Sequence, residues 1–353
     1  MNKKMYSWKM TKPGAEFELV ESSLPSLGEG EALIQIAGCG VCHTDLSFWH
    51  YGVKTKKEMP LTLGHEISGR VIDGPPEWVG KKVIIPAVLP CGECELCKKG
   101  RNNICRNQLM PGNDFDGGFA SHIKVPARYL CPVSEAVLDK YALKELAVVA
   151  DAISTPYQVV KKSGLEAGDL AIVIGVGGVG IYAALIAKIF GAKVLALDID
   201  DEKLKMAKEN GIDATLNVKD KDIREIKSQV RAIAKELNVS KYGWKIFEIS
   251  GTKPGQELGF SLITFASVLS IVGFTMEKPE VRLSNLMAFD AALIGTWGCK
   301  PELYPEVLEL VESGKLNIAP FIELFPMSRI NEVFKNTLAR QYKKRSIMVP
   351  DFE

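Results

Sequence analysis

The stretch that most limits how this chain can fold is "LAIVIGVGGVGIYAALIAKIFGAKVLALDID", residues 170–200. An apolar run ends in Gly175, Gly177 and Gly180 as G-x-G-x-x-G, a helical segment follows, and a second apolar run ends at Asp198. Strand, tight turn, helix and strand in that order predict a parallel sheet, because parallel neighbours must be joined by a crossover. The alternation continues, with "KLKMAKENG" as a helix and "WKIFEISG", "VLSIVGF" and "ALIGTWGCK" as further apolar strands. The fold class of this region is α/β, with a doubly wound parallel sheet.

The glycines also carry chemistry. Gly175, Gly177, Gly178, Val179 and Gly180 bring backbone N–H groups to a helix N-terminus, where a pyrophosphate can approach closely. Asp198 is placed to accept hydrogen bonds from a ribose diol, and its charge repels a 2′-phosphate. No arginine immediately follows it, so NAD is expected rather than NADP. The plainer alternative is a glycine-rich turn without a cofactor, but strand, helix and acid all agree with the nucleotide reading.

A chain of 353 residues exceeds one ordinary core, so two domains are expected. Before residue 150 the sequence has short β-branched runs broken by Pro and Gly, such as "EALIQIAG", "ISGRVIDGPP" and "KKVIIPAVLP", which predict an irregular β domain. Beyond the sheet, "MSRINEVFKNTLAR" sets Ile330, Val333, Phe334 and Leu338 on one helical face, and "SIMVP" reads as a last strand that packs back on the first domain. Lys plus Arg is 44 against 43 for Asp plus Glu, without the basic excess of a nucleic-acid binder. The uncharged run Leu170–Ala187 is eighteen residues long, but its "GVGGVG" favours strand, turn and helix over a membrane span. The N-terminal "MNKKMYSWKM" has no apolar region after its lysines, so a cytoplasmic protein without disulfides is expected.

Eight cysteines in a reducing compartment then point to metal or chemistry. "CGECELCKKGRNNIC" spaces Cys91, Cys94, Cys97 and Cys105 as C-x2-C-x2-C-x7-C, a set of thiolates able to close a tetrahedron around Zn²⁺. The bacterial iron–sulfur spacing differs at the last ligand. "GCGVCHTDLSFWHYG", residues 38–52, is less regular: Cys39 and Cys42 alone fit a thiol pair as well as a metal site. "LTLGHEISG" adds His65 and Glu66 in a glycine-bounded turn, and Cys42, His65 and a carboxylate make an open zinc site with room for water or alcohol. Asp45 suits a hydrogen bond that orients the histidine ring.

These motifs occur in the order found in the zinc-dependent medium-chain alcohol dehydrogenase family, which the chain resembles over nearly its whole length. The resemblance implies a GroES-like β-rich catalytic domain over residues 1–153 and 297–353, and a Rossmann NAD-binding domain over 154–296. It implies two zinc ions per chain, the catalytic one at Cys42 and His65 with Glu66 as a nearby or exchanging ligand. The family's second cysteine ligand aligns with Asp151 of "VADAISTPYQ"; a harder donor than thiolate leaves the metal more Lewis acidic. Cys39 then reads as a buried wall residue. Thr44 matches the residue that touches the substrate oxygen and starts the proton relay, His43 and Arg345 match pyrophosphate neighbours, and Lys203 matches a ribose contact, its alternative being an exposed helix charge. The family's histidine proton exit is replaced by Ser47, with His50 three residues on as a possible substitute or a packing residue.

"KMTKPG", "PEWVGKKVIIPAVLPC", "MPGNDFDGGFASHI", "YGWKIFEISG" and "LMAFDAALIGTWGC" are similar to one subgroup of that family. That likeness implies NAD-dependent oxidation of a cyclic allylic hydroxyacyl-CoA, 6-hydroxycyclohex-1-ene-1-carbonyl-CoA, to its 6-oxo product in anaerobic aromatic degradation. Lys54, Lys56, Lys57 and Lys300 are the candidates for the CoA phosphates, against a plain reading as solvated charges. A free secondary or allylic alcohol is the alternative substrate, and a non-catalytic zinc and nucleotide module the alternative class. A homo-oligomer, dimer or tetramer, is expected, with no membrane or nucleic-acid partner.

Overall fold

The computed structural model describes residues 4–352. The chain divides into two compact units, Met1–Ser154 with Gly298–Glu353, and Thr155–Trp297.

The first unit is built on a seven-stranded sheet in which Glu31–Gly40 and Glu66–Asp73 pair antiparallel at the centre. Ala32, Ile34 and Ile36 of the first strand and Ile67 and Val71 of the second are buried in one apolar core. Register shifts at Leu33/Ile34 and at Ile36/Gly38 bend the longer strand before it delivers Cys39 and Gly40. The C-terminal strand Arg345–Val349 lies against that end, Ile347 opposite Gly40 and Met348 opposite Cys39, so the tail completes this unit's sheet. Its helix Ile330–Leu338 buries Ile330, Val333 and Phe334 in the same core, with Leu338 packed against it, as the 3.6-residue period predicts.

The second unit has six parallel strands in the spatial order Ala214–Asn217, Lys193–Asp198, Leu170–Ile174, Lys245–Glu248, Val268–Ile271, Ala292–Gly295. The order runs outward in both directions from Leu170–Ile174, the doubly wound arrangement whose ligand crevice lies at the strands' carboxyl ends. Leu170–Ile174 is buried throughout, which is why it reads as an unbroken apolar run. Among the described residues no helix is long and apolar enough to cross a membrane. The uncharged run Leu170–Ala187 is split by the glycine turn into strand Leu170–Ile174 and helix Gly180–Ile189.

Candidate active site and metal centres

Cys91, Cys94, Cys97 and Cys105 bring their sulfurs together on one partly exposed loop. Sγ–Sγ separations are 3.4 Å for Cys105–Cys91, 3.5 Å for Cys94–Cys97, 3.7 Å for Cys94–Cys105 and 4.0 Å for Cys91–Cys97. A tetrahedron of thiolates at zinc bonding distance has edges of ~3.8 Å. Disulfides are excluded, since a bonded pair would sit at ~2 Å, and all eight cysteines are free. Backbone N–H groups hold the Cys91 thiol below its ordinary range and bring that of Cys94 down to about 6, while burial raises Cys105 and pushes Cys97 up to about 12. Four sulfurs in this arrangement fill the coordination of one zinc ion and leave no position for substrate.

The second cluster is assembled from three separate segments. Cys42 caps the short helix His43–Trp49, and its backbone N–H donates to Asp45 Oδ2 at 2.9 Å. Asp45 Oδ1 accepts from the Gly64 N–H at 3.1 Å and stands 3.4 Å from His65 Nδ1, so one buried carboxylate fixes both the cysteine turn and the imidazole. His65 Nε2 then faces Asp151 Oδ2 at 3.5 Å, and Cys42 Sγ lies 3.9 Å from the same oxygen. Donor atoms of Cys42, His65, Glu66 and Asp151 all lie within 4.8 Å of one another. Donors around a tetrahedral zinc sit ~3.4–3.8 Å apart. His65 is buried and neither ring nitrogen has a well-formed hydrogen bond, a rare condition for an imidazole that is not a metal ligand. Burial by itself lowers the proton affinity of that ring, but the charges of Asp45 and Cys42 and the Asp151 contact outweigh it and hold the pKa well above its ordinary value. The site thus has an excess of negative charge that a divalent cation would balance, and the residues present fit zinc.

Glycines make room for this arrangement. A Cβ on Gly40 would come 2.0 Å from Glu66 Oε2, and one on Gly64 2.6 Å from Cys39 Sγ. Cys39 is fully buried, outside the donor set, and its thiol is pushed well up by burial.

Arg345, which the resemblance gives as a neighbour of the cofactor pyrophosphate, is buried beside Glu66. Its Nε donates to Glu66 Oε2 at 3.0 Å and its Nη2 to Oε1. The physical reason is that a fully buried carboxylate requires a counter-charge. Thr44 is half-buried with Oγ1 3.7 Å from Cys42 Sγ, while His43 is exposed. Ser47 Oγ donates to the His43 carbonyl at 2.9 Å, and exposed His50 packs edge-on against Tyr51. Of the four lysines proposed for phosphates, Lys56 pairs with Asp114 at 2.9 Å and Lys57 with Asp116 at 2.5 Å. Lys54 is exposed and Lys300 half-buried.

In the second unit, Gly175 takes φ +85°, and a Cβ there would come 2.7 Å from Ser250 Cα. A Cβ on Gly180 would come 1.7 Å from the Gly175 carbonyl oxygen. The Gly177 position is open, its nearest neighbour being Lys203 Nζ at 4.0 Å, so a cationic group overlooks the turn. Gly178 and Val179 are half-buried ahead of helix Gly180–Ile189. Asp198 Oδ2 accepts from the Val176 N–H at 2.8 Å and Oδ1 from Ile199 at 2.8 Å and Asp200 at 3.1 Å. The acid thereby fixes the glycine turn and keeps lone pairs for a diol. The turn fits a dinucleotide.

Comparison with known proteins agrees with this chemistry. The family described as "Alcohol dehydrogenase GroES-like domain" matches residues 28–135, and "Zinc-binding dehydrogenase" matches residues 178–313. An alcohol dehydrogenase of Geobacillus stearothermophilus is 32% identical over 324 residues, covering 90% of this chain and 91% of the relative. An L-threonine 3-dehydrogenase of Pyrococcus horikoshii is 30% identical over 332 residues, covering 91% of each chain. The crystal structure of an alcohol dehydrogenase from Aeropyrum pernix shares the fold with a TM-score of 0.87 at 24% identity, covering 98% of this chain and 100% of that one. The first unit is the GroES-like domain and the second is Rossmann-like, the cofactors are zinc and NAD, and the chain belongs to the zinc-dependent medium-chain alcohol dehydrogenase family.

Proposed function

We propose that this chain oxidises an alcohol to the carbonyl, with hydride passing to NAD, at the centre formed by Cys42, His65 and Asp151 with Glu66 beside it. The observation that carries this reading is the buried His65 ring, free of good hydrogen bonds and facing Cys42 and Asp151, with the Thr44 hydroxyl at the edge of the donor set. Bound zinc supplies Lewis acidity toward the alcohol oxygen, which lowers the pKa of its hydroxyl. Asp45 holds the His65 ring in place, Arg345 holds Glu66, and the half-buried Thr44 hydroxyl accepts the substrate hydroxyl's hydrogen bond and relays that proton, its own passing on to bulk water, before hydride leaves. Ser47 turns its hydroxyl back to the His43 carbonyl, so it does not stand in for an exit histidine. Gly175–Gly180 cradle the pyrophosphate, Asp198 and Lys203 bind the ribose, and exposed His43 is a further phosphate contact.

The narrower substrate is the cyclic allylic hydroxyacyl-CoA, supported by the subgroup strings such as "MPGNDFDGGFASHI". The pairing of Lys56 and Lys57 with Asp114 and Asp116 counts against a phosphate role for those two. The names of the relatives, an alcohol and an L-threonine dehydrogenase, favour the free-alcohol alternative. The test is kcat/KM, followed by absorbance of NADH, for the CoA ester beside the matching free hydroxy acid. A large preference for the ester supports the narrower reading; comparable values assign the free alcohol. No turnover with any alcohol while two zinc ions and NAD bind would leave a binding module. The reading includes a cytoplasmic setting, where the thiolates stay reduced, and a homo-oligomer. The outer strand Ala292–Gly295 supports the latter, with Leu293 exposed on it and Met287 exposed just before it.

A further inference from the structure

The peptide that leads into Asp151 is held from an unexpected place. Leu143–Ala150 is a 3-10 helix, and Asp151 follows its last residue. Tyr304, at the start of helix Tyr304–Glu312, is fully buried, and its hydroxyl donates to the Ala150 carbonyl. The same hydroxyl accepts from the Ala87 N–H at 3.2 Å. Ser154 Oγ donates to the Ala150 carbonyl at 3.2 Å from the other side and lies within hydrogen-bonding reach of Tyr304. A carbonyl and the N–H of the next residue belong to one rigid plane. Two hydroxyls on the Ala150 oxygen therefore fix the plane from which the Asp151 side chain departs. The segment carrying Tyr304 is itself anchored, since Asn102 Nδ2 of the four-cysteine lobe donates to Glu302 Oε1 at 2.5 Å.

We propose that Tyr304 is a positioning residue for the Asp151 carboxylate, acting through the Ala150 carbonyl. This rests on the reading of Asp151 as a metal ligand. A carboxylate has more freedom of approach than a thiolate, so its backbone must be held more firmly to keep one oxygen toward His65 and Cys42. Groups that orient a ligand typically change metal affinity by about 10–100-fold when removed.

The test uses full-length protein with cobalt in the mixed site and zinc in the four-cysteine site. Tyr304→Phe is expected to shift the cobalt visible spectrum and to speed metal loss to a chelator by about tenfold or more. Zinc in the four-cysteine site should be retained. Ser154→Ala, which keeps Tyr304, should move the same spectrum less. Ser68→Ala removes a hydroxyl that donates 2.7 Å to the Leu143 carbonyl at the other end of the same 3-10 helix, and should leave the spectrum unchanged. A wild-type spectrum and off-rate in both folded Tyr304→Phe and Ser154→Ala would overturn the proposal. An equal shift in Ser68→Ala would also overturn it, by making the effect one of general packing. Failure of the wild type to bind cobalt at the mixed cluster would instead refute the metal-site reading beneath it.

Discussion

The two units build their sites in opposite ways. In the second, the nucleotide turn comes from one continuous stretch and its working groups are mostly backbone N–H groups, with Asp198 bracing the turn. In the first, the mixed cluster gathers side chains from Cys42, His65, Glu66 and Asp151, and its Glu66 carboxylate is paired with Arg345, 279 positions away. A backbone site depends on the fold that shapes it and loses little with any one side chain. A side-chain site fails when a single donor is removed.

The sharpest way to break this contrast is His65→Ala. Turnover should fall by on the order of 10³-fold or more, because the metal loses a ligand and the alcohol its activating group. Zinc should drop from two ions to one per chain with circular dichroism unchanged. Retention of both ions with substantial activity would show that the cluster tolerates losing its imidazole. Next comes Arg345→Ala, which leaves Glu66 buried without its partner and should cost about 3–5 kcal/mol in denaturant unfolding. A loss within about 0.5 kcal/mol would place the pair among weak surface bridges.

In the second unit, Glu248 is the exception to backbone control. It is fully buried at the end of strand Lys245–Glu248, and burial pushes its carboxyl up to about 7 despite hydrogen bonds from Ser250 and Gly251. Its raised pKa means that the folded state holds a proton which the unfolded chain releases at ordinary carboxyl pH. The associated stability is present at acid pH and lost as pH rises through about 7, by up to ~3 kcal/mol. Unfolding midpoints between pH 5 and 8 should show this slope, and Glu248→Gln should flatten it; an unchanged slope in the variant would remove Glu248 as its source. The smallest effect is expected for Asp198→Ala, which weakens NAD by roughly 10–100-fold and relaxes rejection of NADP, since the turn's N–H groups remain. Equal wild-type efficiency with NAD and NADP would deny the acid that role.

Much of this architecture was legible because its signals are local. The doubly wound sheet followed from apolar runs separated by crossovers, and "KVLALD" is a strand over all six residues, Lys193–Asp198. The outer strand Ala214–Asn217 escaped notice because "ATLN" is short and only Leu216 among its residues is buried. The four-cysteine loop was readable from spacing alone. Asp151 was reached only by resemblance, as nothing in "VADAISTPYQ" marks a ligand. Tyr304 had no signal at all, because its partners Ala87 and Ala150 contribute backbone atoms and an alanine at either position says nothing of a bound hydroxyl.

The sequence by itself determined the elements whose partners lie within a few residues: the glycine turn, the cysteine loop, and the amphipathic helix that buries Ile330, Val333 and Phe334. Tertiary structure alone decided the electrostatic pairings. Arg345 pairs with Glu66, and Lys56 and Lys57 pair with Asp114 and Asp116. Residue spacing along a chain specifies geometry over one or two turns, but a charge takes whichever opposite charge the fold brings within a few ångströms, and burial sets how strongly the pair must be satisfied.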